Sequence, residues 1–163
     1  MGILTNIVIL SCLLVISYQD FKERMVWAFL FPLLALSGGY LFFLKTDLLF
    51  FITAVGINLT IVAFMVGVIA CISKFVLQKK LFSEVLGLGD ILLFIALAVS
   101  FPTLSFLNFF VFSVLFTYVI SKLLKLAIRN YKDSVPLAGG MSLFLSFVFV
   151  LHWTGLYPEI YML

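Results

Sequence analysis

Six apolar stretches, each long enough to cross or nearly cross a bilayer, fill almost the whole chain and leave only short polar punctuation between them. They run over residues 3–18, 25–44, 48–72, 86–101, 104–120 and 135–153. A helix needs roughly 20 residues to span a hydrocarbon core of about 30 Å. In lipid every backbone N–H and C=O must be satisfied within the segment, so such runs predict helices. Composition agrees: the chain is 65% hydrophobic and 10% charged, whereas soluble domains are nearer about half apolar and a quarter charged. The expected fold is all-α, a polytopic membrane bundle of six transmembrane helices forming a single domain over residues 1–163. Pro102 lacks a donor and biases Phe101 away from helical angles, which predicts a tight turn between the fourth and fifth stretches.

Charge placement sets the orientation. If the spans alternate, the segments after the first, third and fifth stretches share one side. They hold Lys22, Arg24, Lys74, Lys79, Lys80, Lys122, Lys125, Arg129 and Lys132, and the other side holds only Lys45. Basic residues collect on the cytoplasmic face, so both termini are expected outside, in a protein of the cell membrane. Trp153, Tyr157 and Tyr161 fit an aromatic belt at the outer interface. The first stretch lacks the basic n-region of a signal peptide and reads as a retained span. No basic stripe of the nucleic-acid-binding kind lies outside the loops, so no nucleic acid partner is expected. The expected surroundings are membrane lipid.

Acidic residues carry the chemical signal. Asp47, Asp133 and Glu159 read as solvated surface charge, whereas Asp20, Glu23, Glu84 and Asp90 fall in the cytoplasmic half. Asp20 closes the first stretch, with Arg24 at i+4 to pair it on one helical face. Asp90 opens the uninterrupted apolar run 91–99 and has no basic neighbour in sequence. An unpaired carboxylate in a membrane span is costly and marks function by default. With a helix starting near Phe82, Asp90 would lie about 12 Å into it at about 1.5 Å per residue. A shorter helix starting near Asp90 would instead keep the acid close to cytoplasmic water. Gly87 and Gly89, just before it, permit close approach or a local break.

Two carboxylates at one membrane face suit hydrolysis by a shared-proton pair, in which one member activates water and the other polarises a carbonyl. The only histidine, His152, stands at the other end of the last stretch. Cys12 and Cys71 lie in separate apolar stretches without a C-x-x-C pair. No metal site and no cofactor are expected, and both cysteines read as small buried hydrophobes. Asn58 and Asn108 suit interhelical hydrogen bonds. Gly38-Gly39 and Gly139-Gly140 suit close helix packing, and His152 reads as an interfacial residue.

Three segments resemble the type IV prepilin peptidase family, intramembrane aspartyl proteases that include the archaeal preflagellin peptidases. Asp20-Phe21-Lys22-Glu23-Arg24 is similar to the segment that begins at the family's first catalytic aspartate. Glu84-Val85-Leu86-Gly87-Leu88-Gly89-Asp90 is similar to the stretch ending in its Gly-x-Gly-Asp motif. Pro136-Leu137-Ala138-Gly139-Gly140 resembles the Pro/Gly motif that opens the last span. The resemblance implies a prepilin leader peptidase with a prepilin-like protein substrate. Asp20 and Asp90 would be the catalytic pair, with Arg24, Glu84, Gly87 and Gly89 as supporting motif residues. It also implies that the N-terminal region linked to N-methylation is missing. Val26-Trp27 and Leu92 depart from the family pattern. Two other classes use intramembrane acids: a small ion-coupled transporter with Asp20 and Asp90 as ion sites, and a non-catalytic membrane assembly factor. An absence of acids in the outer half argues against a transport pathway.

Overall fold

The computed structural model describes residues 2–77, 86–127, 135–157 and 160–161. Among the described residues six α-helices follow one another: α1 (Gly2–Glu23), α2 (Leu30–Phe43), α3 (Leu48–Ile72), α4 (Leu88–Ser100), α5 (Thr103–Ala127) and α6 (Leu137–Trp153). A π-helical stretch, Ser73–Leu77, continues α3. The fold is all-helical, as the sequence predicts, and the protein reads as a membrane protein. Three segments, Leu4–Glu23, Leu48–Phe75 and Thr103–Leu126, are long and apolar enough to cross a membrane. The other three helices have 14, 13 and 17 residues. At about 1.5 Å per residue they stay short of a hydrocarbon core of about 30 Å.

The helix boundaries differ from the expected ones for local reasons. α1 runs past Tyr18 to Glu23, so Asp20 sits inside its last turn and not beyond it. The helix stops where Arg24 takes a left-handed conformation at φ 59°, its N–H donating to the Asp20 carbonyl at 3.3 Å. A non-glycine residue there costs of order 1 kcal/mol, and it turns the chain sharply into the loop 24–29. α2 consequently starts at Leu30 and not at Met25. Leu86 and Gly87 precede α4 outside any helix, so the helix does not begin near Phe82. The turn at Pro102 is as expected: Phe101 is extended at φ −136° and ψ 149°, and the Pro102 carbonyl accepts the Phe106 N–H at 2.8 Å.

The core sits among α1, α2, α4 and α6. Ile9, Cys12, Leu13 and Ile16 form the i, i+3, i+4, i+7 face that α1 buries, within one apolar cluster that also holds Leu34, Leu93, Leu97, Met141 and Leu145. Small residues let the helices approach, since association in lipid relies on close packing. Gly38 and Gly39 of α2 lie against Ser100 and Val99 of α4, where a Cβ would collide or crowd. Asn58 of α3 is fully buried, and its Nδ2 donates to the carbonyls of Ala98 and Phe101 at 3.0 and 2.9 Å. Asn58 thus makes the expected interhelical bond. Asn108 does not fit that role, because it faces outward on α5. Cys12 is buried, but Cys71 is exposed on α3, a helix that buries little of its surface.

At the end of the bundle where α6 finishes, His152 Nδ1 lies 2.8 Å from the Tyr157 carbonyl. Tyr161 departs from the belt arrangement. It packs inward between Phe42 and Phe101, with centroids 6.2 and 5.9 Å away, and Lys45 Nζ lies 4.7 Å from its ring centroid.

Candidate active site

Asp20 reaches the site from the last turn of α1, one turn beyond the buried pair Ile16 and Ser17. Asp90 reaches it from the first turn of α4, as the third residue of that helix. The position near the helix start follows from Gly87, whose extended backbone at φ −72° and ψ 150° opens α4. Gly87 N–H donates to Asp90 Oδ2 at 3.0 Å, a side-chain return to the residue before the helix of the kind that a capping box uses. The deep position for Asp90 is therefore replaced by the shallow one. Because α1 ends where α4 and α6 begin, all three helix ends lie at one end of the bundle.

The start of α6 joins the two carboxylates. Ala138 N–H donates to Asp90 Oδ1 at 2.9 Å, and Gly139 N–H donates to Asp20 Oδ2 at 2.6 Å. The first N–H groups of a helix have no intrahelical acceptor, and the positive end of the helix dipole favours negative charge. Asp20 also lies within coulombic range of Asp90 and of Arg24. Arg24 is thus near Asp20 as the sequence suggests, but it stands beyond the helix end and not on the helical face.

The other motif residues divide. A Cβ on Gly87 would lie 3.2 Å from Asp90 Oδ2, tighter than ordinary contact. A Cβ on Gly89 would meet Phe31 Cζ at 3.5 Å, an ordinary distance. Glu84 lies outside the described residues, as do Lys79, Lys80, Arg129, Lys132, Asp133 and Glu159. Glu23 is exposed at the tip of α1. Gly139 proves to be more than a packing residue, since a Cβ there would lie 2.9 Å from Asp20 Cβ, whereas Gly140 faces Thr117 of α5.

Sequence reasoning missed Gln19. Its side chain is buried, and its Oε1 accepts the Trp27 N–H at 3.1 Å, which pins the loop 24–29 against α1 beside Asp20. An amide placed next to an intramembrane acid was the available signal. A small apolar cavity of about 10 Å³, lined by Leu13, Leu34, Leu97, Leu145, Phe149 and Tyr161 among others, contains neither aspartate. Among the described residues no group of three His, Cys, Asp or Glu side chains is placed to hold a metal ion.

The type IV leader peptidase family model matches residues 7–122, more than two thirds of the chain. The chain belongs to the type IV leader peptidase family. No curated protein and no solved structure matches it. The part shared with the leader peptidase family includes Asp20, Arg24, the Gly87–Asp90 segment and Asn58, and it ends before α6. Membership implies a peptidase acting on a peptide substrate. The contribution of α6 to the candidate site rests on the hydrogen bonds above.

Proposed function

We propose that the protein is an intramembrane aspartyl endopeptidase that removes the short cytoplasmic leader of type IV prepilin-like precursors, with Asp20 and Asp90 as its catalytic pair. The observation that carries this reading is the meeting of the two carboxylates on consecutive N–H groups of α6, at one end of the bundle. Neighbouring carboxylates resist joint ionisation and can share a proton. The ionised member takes a proton from water as the oxygen attacks the scissile carbonyl carbon, and the protonated member donates to the carbonyl oxygen. The resulting gem-diol gives a hydroxyl proton to the ionised carboxylate as its C–N bond breaks, and the departing nitrogen takes the proton of the other carboxyl, which restores the pair. Chemistry of this type needs no covalent intermediate.

The basic residues Lys22, Arg24, Lys74, Lys122 and Lys125 all lie near the C-terminal ends of α1, α3 and α5. This segregation supports a cytoplasmic site in the cell membrane, with both termini outside. The whole chain then acts as one membrane-embedded peptidase domain, and Arg24 and Gly87 hold the ends of the two acid-bearing helices. Reconstituting the protein in vesicles with a pilin-like precursor tests the reading. The native chain releases the leader, and Asp20→Asn and Asp90→Asn variants at equal incorporation do not. Leader release by either variant at the native rate would remove the aspartyl mechanism.

A further inference from the structure

Among the described residues the two helices that carry the aspartates scarcely touch. α1 packs on α2 and α6, and α4 packs chiefly on α2 and α3. A third element therefore fixes one carboxylate against the other. Adjacent amides at a helix start are held at a fixed spacing by the helix itself, and here they are the donors to the two acids. The next amide already belongs to the helix, since Gly140 N–H donates to the Pro136 carbonyl at 2.9 Å.

We propose that the first turn of α6 is the clamp that sets the geometry of the aspartate pair, and that Gly139 is its positioning residue. The proposal rests on the aspartyl peptidase reading for its effect on cleavage. A Cβ at position 139 would lie 2.9 Å from Asp20 Cβ, 3.0 Å from Asp20 Oδ2 and 3.3 Å from Phe21 Cδ2. The first two atoms belong to the acid itself, and its Cβ cannot swing aside as a flexible side-chain end can. Any side chain at 139 thus displaces Asp20 from its donor. Gly140 offers a comparison on the same helix, because its added Cβ would meet Thr117 Cγ2 and Oγ1 at 2.5 Å, on the α5 side and away from the acids.

The test uses the full-length protein in vesicles, a pilin-like precursor, and two readouts. In the first, Gly139→Ala lowers kcat by about 100-fold with little change in KM, the scale expected when a reacting group is misplaced. Gly140→Ala lowers thermal stability through its contact with Thr117 of α5. Adding Phe21→Leu to Gly139→Ala does not restore cleavage, and restoration would make the defect one of packing and overturn the proposal. In the second, the amide of residue 139 is replaced by an ester, which deletes the N–H without adding a side chain. The side-chain ¹³C resonance of labelled Asp20 shifts and that of Asp90 stays, while an ester at residue 138 does the reverse. Resonances that ignore both esters would overturn the clamp whether or not the protein cleaves. If the native chain fails to release the leader, the peptidase reading fails by itself, and the resonances still decide the clamp.

Discussion

Asp20 and Asp90 come from helices that hardly meet, yet their carboxylates accept hydrogen bonds from adjacent residues, Gly139 and Ala138. One helix start thereby serves both acids. The arrangement satisfies amides that a helix leaves without partners and places negative charge where its dipole favours it.

The orientation is open to labelling. In a background with Cys12→Ala and Cys71→Ala, single cysteines at Lys74 and Lys122 are expected to react with a membrane-impermeant thiol reagent only from the cytoplasmic side. Labelling of either from outside intact cells contradicts the proposed topology and moves the aspartates to the wrong face.

Neither thiol takes part in the proposed chemistry. Cys71 is exposed, and Cys71→Ala is expected to change stability by less than about 0.5 kcal/mol and to leave cleavage at the native rate. Cys12→Ala removes a small group from a packed face and costs about 1 kcal/mol, again without loss of kcat. Loss of cleavage in a folded Cys71→Ala protein would argue for a thiol mechanism.

Asn58 is expected to be a structural linchpin and not a catalytic group. Its Nδ2 satisfies two carbonyls around the end of α4, at Ala98 and Phe101. Asn58→Leu leaves both unsatisfied and lowers stability by about 1–3 kcal/mol, read as a drop in the thermal midpoint of the reconstituted protein. The kcat of the folded fraction stays near native. A variant with an unchanged midpoint would show that these bonds do not hold α3 to α4.

Gln19 is expected to hold the loop 24–29 in place beside Asp20. Gln19→Leu keeps the volume but removes the acceptor of the Trp27 N–H, a bond worth about 1 kcal/mol. Loop 24–29 then opens more often, seen as faster limited proteolysis, and KM for the precursor rises several-fold while kcat changes less. Unaltered proteolysis at that loop would deny Gln19 its role.

Much of this was legible in the sequence, for identifiable reasons. Uninterrupted apolar runs specify helices in lipid because the backbone has no other partner, and Asp90 stands out because charge is costly there. Helix ends were less legible. α1 outruns its apolar stretch through Glu23, since Arg24 and not Tyr18 breaks the helix with a left-handed residue. α4 starts later than its segment suggests because Gly87 is extended. Gly139 read as a packing glycine, since no local pattern reveals that a residue 119 positions away in sequence lies against it. The inward turn of Tyr161 likewise depends on Phe42, Phe101 and Lys45, which come from other parts of the chain.

The central claim is that Asp20 and Asp90 work as one unit, and the most direct measurement is a double-mutant comparison of precursor cleavage. Asp20→Asn, Asp90→Asn and the double variant are reconstituted at matched amounts, and leader release is timed for each. Each single substitution is expected to lower kcat by about 10³-fold or more, and the double variant to be hardly slower than either, because members of one catalytic unit lose activity non-additively. Additive losses would mean that the two acids act independently, and cleavage near the native rate in either single variant would contradict the account outright.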